Sequence, residues 1–291
     1  MSGEGQVRVA IRRHAAGTAR DDRDLVAAEE PLEIRLRAGG EERAVAITMR
    51  TPGADVELAA GFLFAEGVIR DPADVVAIHA AGEGPGGLGG GEGEGDAQGG
   101  GAGGENRVVV ELAAERLPDL ARLERHFVAT SACGLCGRAG LDALLGAGHR
   151  PLPRGLTVPA RTLVSLPAAL RREQDLFRST GGLHAAARFT AEGELLALRE
   201  DVGRHNALDK LLGGAFLAGR TPLAESIVLV SGRSSYEIVQ KCLAAGVPVV
   251  AAVSAPSSLA VELAEAFRVT LVGFLRGEGF NVYAAPERIA L

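Results

Sequence analysis

Residues 226–275 read SIVLVSGRSSYEIVQKCLAAGVPVVAAVSAPSSLAVELAEAFRVTLVGFL. Within them, 226–230, 247–253 and 269–275 are short apolar runs rich in β-branched residues, the composition of strands buried on both faces. Residues 235–245 and 259–267 lie between, with apolar positions at helical spacing. The alternation predicts a three-layer α/β domain. Upstream, 206–218 reads as a helix with Asn206 as its candidate N-cap. Residues 186–190 and 194–199 form an expected hairpin around Glu192-Gly193, and 163–177 an expected single helix. The domain expected from this pattern spans 156–291. A cysteine loop and a Pro-Leu-Pro linker at 131–155 precede it, and 1–130 reads as a smaller α+β module.

In that module, 6–12, 32–38 and 43–49 alternate as strands, with Gly39-Gly40 as a hairpin turn between the last two. Residues 56–66 predict a helix capped by Asp55, and 75–79 and 107–112 resume the strand pattern. Between them, 14 of the 23 residues at 82–104 are glycine. Such a stretch lacks the apolar surface to offset its chain entropy and reads as a disordered insertion. It also lacks the lysine and the spacing of a phosphate loop.

Composition narrows the function. The chain has 291 residues, 47% hydrophobic, with a formal charge of −6. Glu83, Glu92, Glu94 and Asp96 supply much of that charge from the glycine-rich stretch alone, so the balance does not exclude a local cationic pocket. Aromatics are only 4% and there is no basic run, so nucleic acid is not an expected partner. No apolar run is long enough to span a membrane. The first thirteen residues lack a secretory pattern, so the expected location is the cytoplasm. Three cysteines do not make a secreted disulfide framework.

Two of them stand in Ser131-Ala132-Cys133-Gly134-Leu135-Cys136-Gly137. Small residues and glycines give this stretch nothing to pack into a core, so it presents sulfur on an accessible loop. A thiolate there can attack, bind metal or carry a second sulfur. Zinc takes four ligands, and only Cys242, His184 or His205 are on hand to complete a set. A redox pair would prefer a strand–CxxC–helix frame, which is not evident. Spacing alone does not separate redox chemistry from sulfur carriage.

Five further stretches carry polar groups at strand ends. Thr180-Gly181-Gly182-Leu183-His184 lets backbone approach a ligand beside an imidazole; a packed histidine at an element start is the plainer alternative. Residues 200–210, EDVGRHNALDK, combine acids, bases and an amide at a strand-to-helix turn, where α/β folds bind ligands; a capped helix with surface ion pairs explains them equally well. Ser231-Gly232-Arg233-Ser234-Ser235 suits a phosphate, or simply caps the next helix. Pro256-Ser257-Ser258 repeats that setting. Residues 274–283, FLRGEGFNVY, offer arginine, glycine and aromatics for a phosphorylated heterocycle, against an ordinary strand–turn–strand.

Together, SACGLCG at 131–137, TGGLHAAA at 180–187, EDVGRHNALDK at 200–210, SGRSSYEIVQK at 231–241, APSSLAVELA at 255–264 and FLRGEGFNVY at 274–283 resemble, in order, the FdhD family of formate dehydrogenase accessory sulfurtransferases. The resemblance implies a sulfur carrier. It would accept sulfur from a cysteine desulfurase as a persulfide and pass it to the molybdenum or tungsten bis(molybdopterin guanine dinucleotide) cofactor of formate dehydrogenase. That cofactor is a bound substrate, and no permanent metal is expected. Cys133 matches the persulfide cysteine and Cys136 its companion. Phe274, Leu275, Arg276, Gly277, Glu278 and Gly279 match the cofactor-contacting segment, and Arg233 and His184 are expected to help hold the dinucleotide. The implied fold is of cytidine-deaminase type, with a mixed sheet, in a homodimer. His184 is followed by Ala185 and Ala186, so the glutamate of a deaminase His-x-Glu is missing. A zinc-dependent deaminase-like hydrolase and a cofactor chaperone without sulfur transfer are the alternatives.

Overall fold

The computed structural model describes residues 5–80, 106–118, 120, 144–146 and 148–291. Both the glycine-rich stretch 82–104 and the cysteine stretch 131–137, with Cys133 and Cys136, lie outside the described residues. The chain opens with β1 (Gln6–Ala15) and β2 (Thr18–Ala27), a long antiparallel ribbon. Then come β3 (Glu30–Ala38), β4 (Glu41–Arg50), α1 (Asp55–Ala65), β5 (Val75–Ala80) and β6 (Arg107–Leu112). The short β7 (Val158–Pro159) leads into α2 (Ala160–Glu173), α3 (Asp175–Thr180), β8 (His184–Phe189) and β9 (Leu195–Asp201). The alternating part follows: α4 (Arg204–Leu217), β10 (Ile227–Val230), α5 (Tyr236–Ala244), β11 (Val249–Ala252), α6 (Ser258–Phe267) and β12 (Thr270–Arg276). The chain closes with β13 (Gly279–Ala284) and β14 (Ile289–Ala290).

Six strands form one mixed sheet in the order β13-β12-β11-β10-β8-β9. Strands β10, β11 and β12 are parallel neighbours; the others pair antiparallel. Period-two alternation sorts their side chains between two cores. Val228, Val230, Val250 and Ala252 join Leu208, Leu212, Val239 and Leu263 from α4, α5 and α6. Ile227, Leu229, Val249 and Ala251 join Leu163, Leu166 and Leu170 from α2. Helices therefore cover both faces, as the apolar strands required. Removing one such leucine, for example Leu166, costs about 2–5 kcal/mol because the site cannot fully collapse.

A second sheet, β4-β3-β6-β5, lies beyond the helices. Its Leu32, Ile34, Leu36, Val108 and Val110 share one core with α1 and α4. Helices α1 and α4 cross with backbones in contact. A Cβ built on Gly61 would lie 1.9 Å from the Asp209 carbonyl oxygen, and one on Gly213 would lie 1.9 Å from that of Glu57.

Several local expectations change. Asp55 is the first residue of α1, and the cap position belongs to Ala54, whose φ is 55°. Asn206 lies inside α4, which Gly203 precedes as the cap. Its amide is drawn inward by the Met49 carbonyl and Asp201, at 2.7 and 3.1 Å. The single helix expected over 163–177 is two, because Gln174 leaves helical geometry at φ −81°, ψ 78°. The ribbon strand β2 has no counterpart in the pattern reading. Its TARDDRDLVA sequence is charged because the strand is largely exposed.

Candidate functional site

A cleft of about 710 Å³ opens at the edge of the large sheet where the parallel strands end. Ser231 follows β10 and Val253 follows β11, while Leu275, Arg276 and Gly277 come from the end of β12. Because β8 runs antiparallel to β10, its first residue, His184, reaches the same edge. The opposite wall is built by Leu170 and Arg171 of α2, Gln174 at the elbow, Phe177 of α3 and the Gly181-Gly182 turn. Strand carboxyl ends are where α/β sheets place ligands, since the connecting turns leave a crevice there. The volume lies in the range that holds nucleotide-sized molecules.

Local geometry explains how each wall is held. Strand β12 breaks register with β13 between Gly273 and Arg276, and Phe274 takes a left-handed φ of 52°. A non-glycine residue there is strained. The irregularity leaves Leu275 buried against the cleft and Arg276 exposed at its lip. The Arg276 guanidinium carbon lies 5.4 Å from the centre of the Phe274 ring, within cation–π range. Gly273 has no room for a side chain: a Cβ would meet the Tyr283 ring at 2.9 Å and Pro256 at 3.0 Å. Across the cleft, the half-buried Glu200 carboxylate accepts hydrogen bonds from the Leu176 and Phe177 amides at 3.1 and 2.9 Å. It thereby caps α3, a helix too short to stand alone. Ser231 fixes β10 to β8, its Oγ accepting from the Ala185 amide at 2.9 Å.

Among the described residues the lining contains Arg171, Arg276 and His184 and no carboxylate. Burial lowers the His184 pKa from its ordinary value, and Arg204 lowers it further, against a smaller opposing effect of Asp201. His184 is therefore a neutral hydrogen-bonding group near pH 7. The cleft suits an anionic ligand with an apolar or aromatic part.

Of the residues expected from sequence, the structure brings Leu275, Arg276, Gly277 and His184 together on the cleft. Phe274 sits behind Arg276. Glu278 and Gly279 are exposed at the β12–β13 turn, outside the lining. Arg233 is exposed and also outside the lining. Arg171, Gln174 and Phe177 escaped notice, because a basic residue in the last turn of a helix is usual at its negative end.

The dense motif at 200–210 resolves mostly into buried joinery. Asp201 is fully buried and pairs with Lys210 Nζ at 2.7 Å. Lys210 also donates to the Thr51 carbonyl at 2.7 Å, and the Thr51 amide donates back to Asp201 at 3.1 Å. Nearby, Lys241 Nζ sits 2.7 Å from both Asp209 oxygens. Burial alone would lower that lysine, but Asp209, Glu237 and Glu66 more than offset it and keep the ammonium charged. His205 Nε2 lies 3.2 Å from Ser235 Oγ and 3.4 Å from Glu237, with its pKa lowered to about 4, chiefly by burial. Cys242, the one cysteine among the described residues, is fully buried, and burial raises its thiol well above the ordinary value. It is an inert core residue. No group of three or more metal-ligating side chains occurs among the described residues. No helix there is long and apolar enough to cross a membrane.

The sequence profile of the FdhD/NarQ family matches residues 27–290. A protein of Streptomyces coelicolor named sulfur carrier protein FdhD is 50% identical over 274 residues, covering 92% of this chain and 90% of its own. A protein of the same name from Mycobacterium tuberculosis is 49% identical over 268 residues, covering 91% and 92%. Among solved structures, one described as a formate dehydrogenase accessory protein from Desulfotalea psychrophila superposes with a TM-score of 0.70. It is 27% identical, and the match covers 98% of this chain and 99% of that one.

Proposed function

The chain belongs to the FdhD/NarQ family, and from that premise we propose that it is a sulfur carrier required for formate dehydrogenase activity. Cys133 takes sulfur from a cysteine desulfurase as a persulfide. The acceptor is the molybdenum or tungsten bis(molybdopterin guanine dinucleotide) complex, held as substrate before it enters formate dehydrogenase. The protein acts in the cytoplasm as a homodimer, and its large sheet is of cytidine-deaminase type.

The observation that carries this reading is the cleft. It gathers Arg276, Gly277 and His184 at one sheet edge, with no lining carboxylate among the described residues. A dinucleotide offers the matching chemistry: phosphates for the guanidinium and a flat heterocycle for the apolar walls. Arg276, steadied by the Phe274 ring, supplies positive charge. Neutral His184 hydrogen-bonds without adding to it. The strained turn at Phe274 spends local stability on presenting Leu275 and Arg276 together.

The sulfur chemistry needs only thiols. A persulfide is more acidic than a thiol, so its terminal sulfur is anionic and nucleophilic at neutral pH. Transfer breaks the Cys133 S–S bond, with the terminal sulfur passing to the metal complex. If the Cys136 thiolate attacks the inner sulfur, the products are a Cys133–Cys136 disulfide and hydrosulfide, and the electrons balance. The test is intact mass after incubation with a desulfurase and cysteine. A gain of about 32 Da per added sulfur, absent in Cys133→Ala, is the expected result. An equal gain in that variant refutes the assignment of Cys133.

A further inference from the structure

Arg171 and Arg276 stand on opposite walls of the cleft, one in the last turn of α2 and the other at the end of β12. Both are exposed, and neither makes a hydrogen bond or ion pair among the described residues. The Arg276 guanidinium lies over the Phe274 ring. Two acids near the Arg171 wall are already engaged. Glu200 is spent on the amides of α3, and Asp175 is paired with Arg178. Two guanidinium groups without an ion-pair partner among the described residues therefore line one largely apolar cleft. The wall that carries Arg171 is fixed by the buried elbow at Gln174 and by the Glu200 cap.

We propose that Arg171 is a second phosphate-binding residue of the cleft, closing with Arg276 on the diphosphate of a nucleotide ligand. This rests on the cleft being the dinucleotide site. Guanidinium groups bind phosphate through paired N–H donors, and two from opposite walls bracket a diphosphate where one would hold a single phosphate. Phe177 and Leu275 then flank the ligand on the same two walls. The adjacent Arg172 shares the helix turn but lies off the lining. If the α2 arginines merely complement the helix end, the two are equivalent; in the proposed site only Arg171 meets ligand.

The experiment titrates the full chain calorimetrically with guanosine diphosphate and, separately, guanosine. Arg171→Ala is expected to weaken the diphosphate about tenfold or more, as for loss of a charged hydrogen bond, and to leave guanosine unchanged. Arg172→Ala should match the unsubstituted protein, and Arg171→Lys should recover part of the loss. Diphosphate binding by Arg171→Ala within about twofold of the parent, with Arg276→Ala impaired, overturns the inference and leaves the cleft reading intact. A parent protein that binds neither probe overturns both.

Discussion

Lys210 Nζ lies 2.7 Å from Asp201 Oδ2 with both side chains essentially out of water. The pair ties β9 and α4 to Thr51, just beyond β4, so it locks the small sheet onto the large one. Removing one partner strands a buried charge. Lys210→Met is expected to destabilise the protein by about 3–5 kcal/mol, and Asp201→Asn with Lys210→Met together by less than the single change. Urea denaturation checks this. A double variant worse than the sum of the singles would show that the pair is not the coupling unit.

The contact of α1 with α4 is equally specific. Gly61 and Gly213 each meet a carbonyl oxygen of the other helix closely enough that a Cβ would overlap it at 1.9 Å. Gly213→Ala must push the helices apart. It is expected to destabilise by about 1–3 kcal/mol, the range for overpacking, despite the better helix propensity of alanine. Thermal unfolding would show a lowered midpoint. An unchanged or raised midpoint would mean the helices slide freely at no cost.

Acid sensitivity follows from two histidines kept neutral. The His205 pKa falls from 6.5 to about 4, and that of His184 is also lowered, in both cases chiefly by burial. The unfolded chain binds these protons more readily than the folded one. Their contribution is thus complete above about pH 6.5 and is lost as pH falls below it, for His205 towards about 4. For His205 the loss is ~1–3 kcal/mol. Urea midpoints at pH 7, 5.5 and 4.5 should decline, and His205→Gln should flatten that decline. The same slope in the variant would assign acid sensitivity elsewhere.

The large sheet was legible because its strands are buried on both faces, so Val228, Val250 and their neighbours had to be apolar throughout. The ribbon was not, because Arg20, Asp22 and Arg23 on β2 satisfy no core. The same physics divides the site. Arg276 and His184 stand at strand ends beside glycine-containing turns, which announce close backbone approach. Arg171 and Phe177 sit on helices, where spacing cannot say which face meets a cleft. The motif at 200–210 was conspicuous for another reason. Asp201, Asn206 and Lys210 are polar because they are buried together, and a fully satisfied buried network constrains sequence as tightly as a ligand does.

Cys242 provides the last contrast. Its thiol is wholly buried in the core around α5, and burial raises its pKa. A thiol that does not ionise neither accepts sulfur nor ligates metal. Titration with an aromatic disulfide reagent should therefore leave Cys242 unlabelled in the native protein and release it on unfolding. Cys242→Ala is expected to keep the full sulfur load after desulfurase treatment, whereas Cys133→Ala loses it. Alanine leaves a small cavity, so a modest drop in thermal midpoint is expected alongside. Native-state labelling of Cys242 at the rate of an accessible thiol would overturn this division. So would metal bound in the parent protein but lost in Cys242→Ala, which would revive a zinc-dependent chemistry.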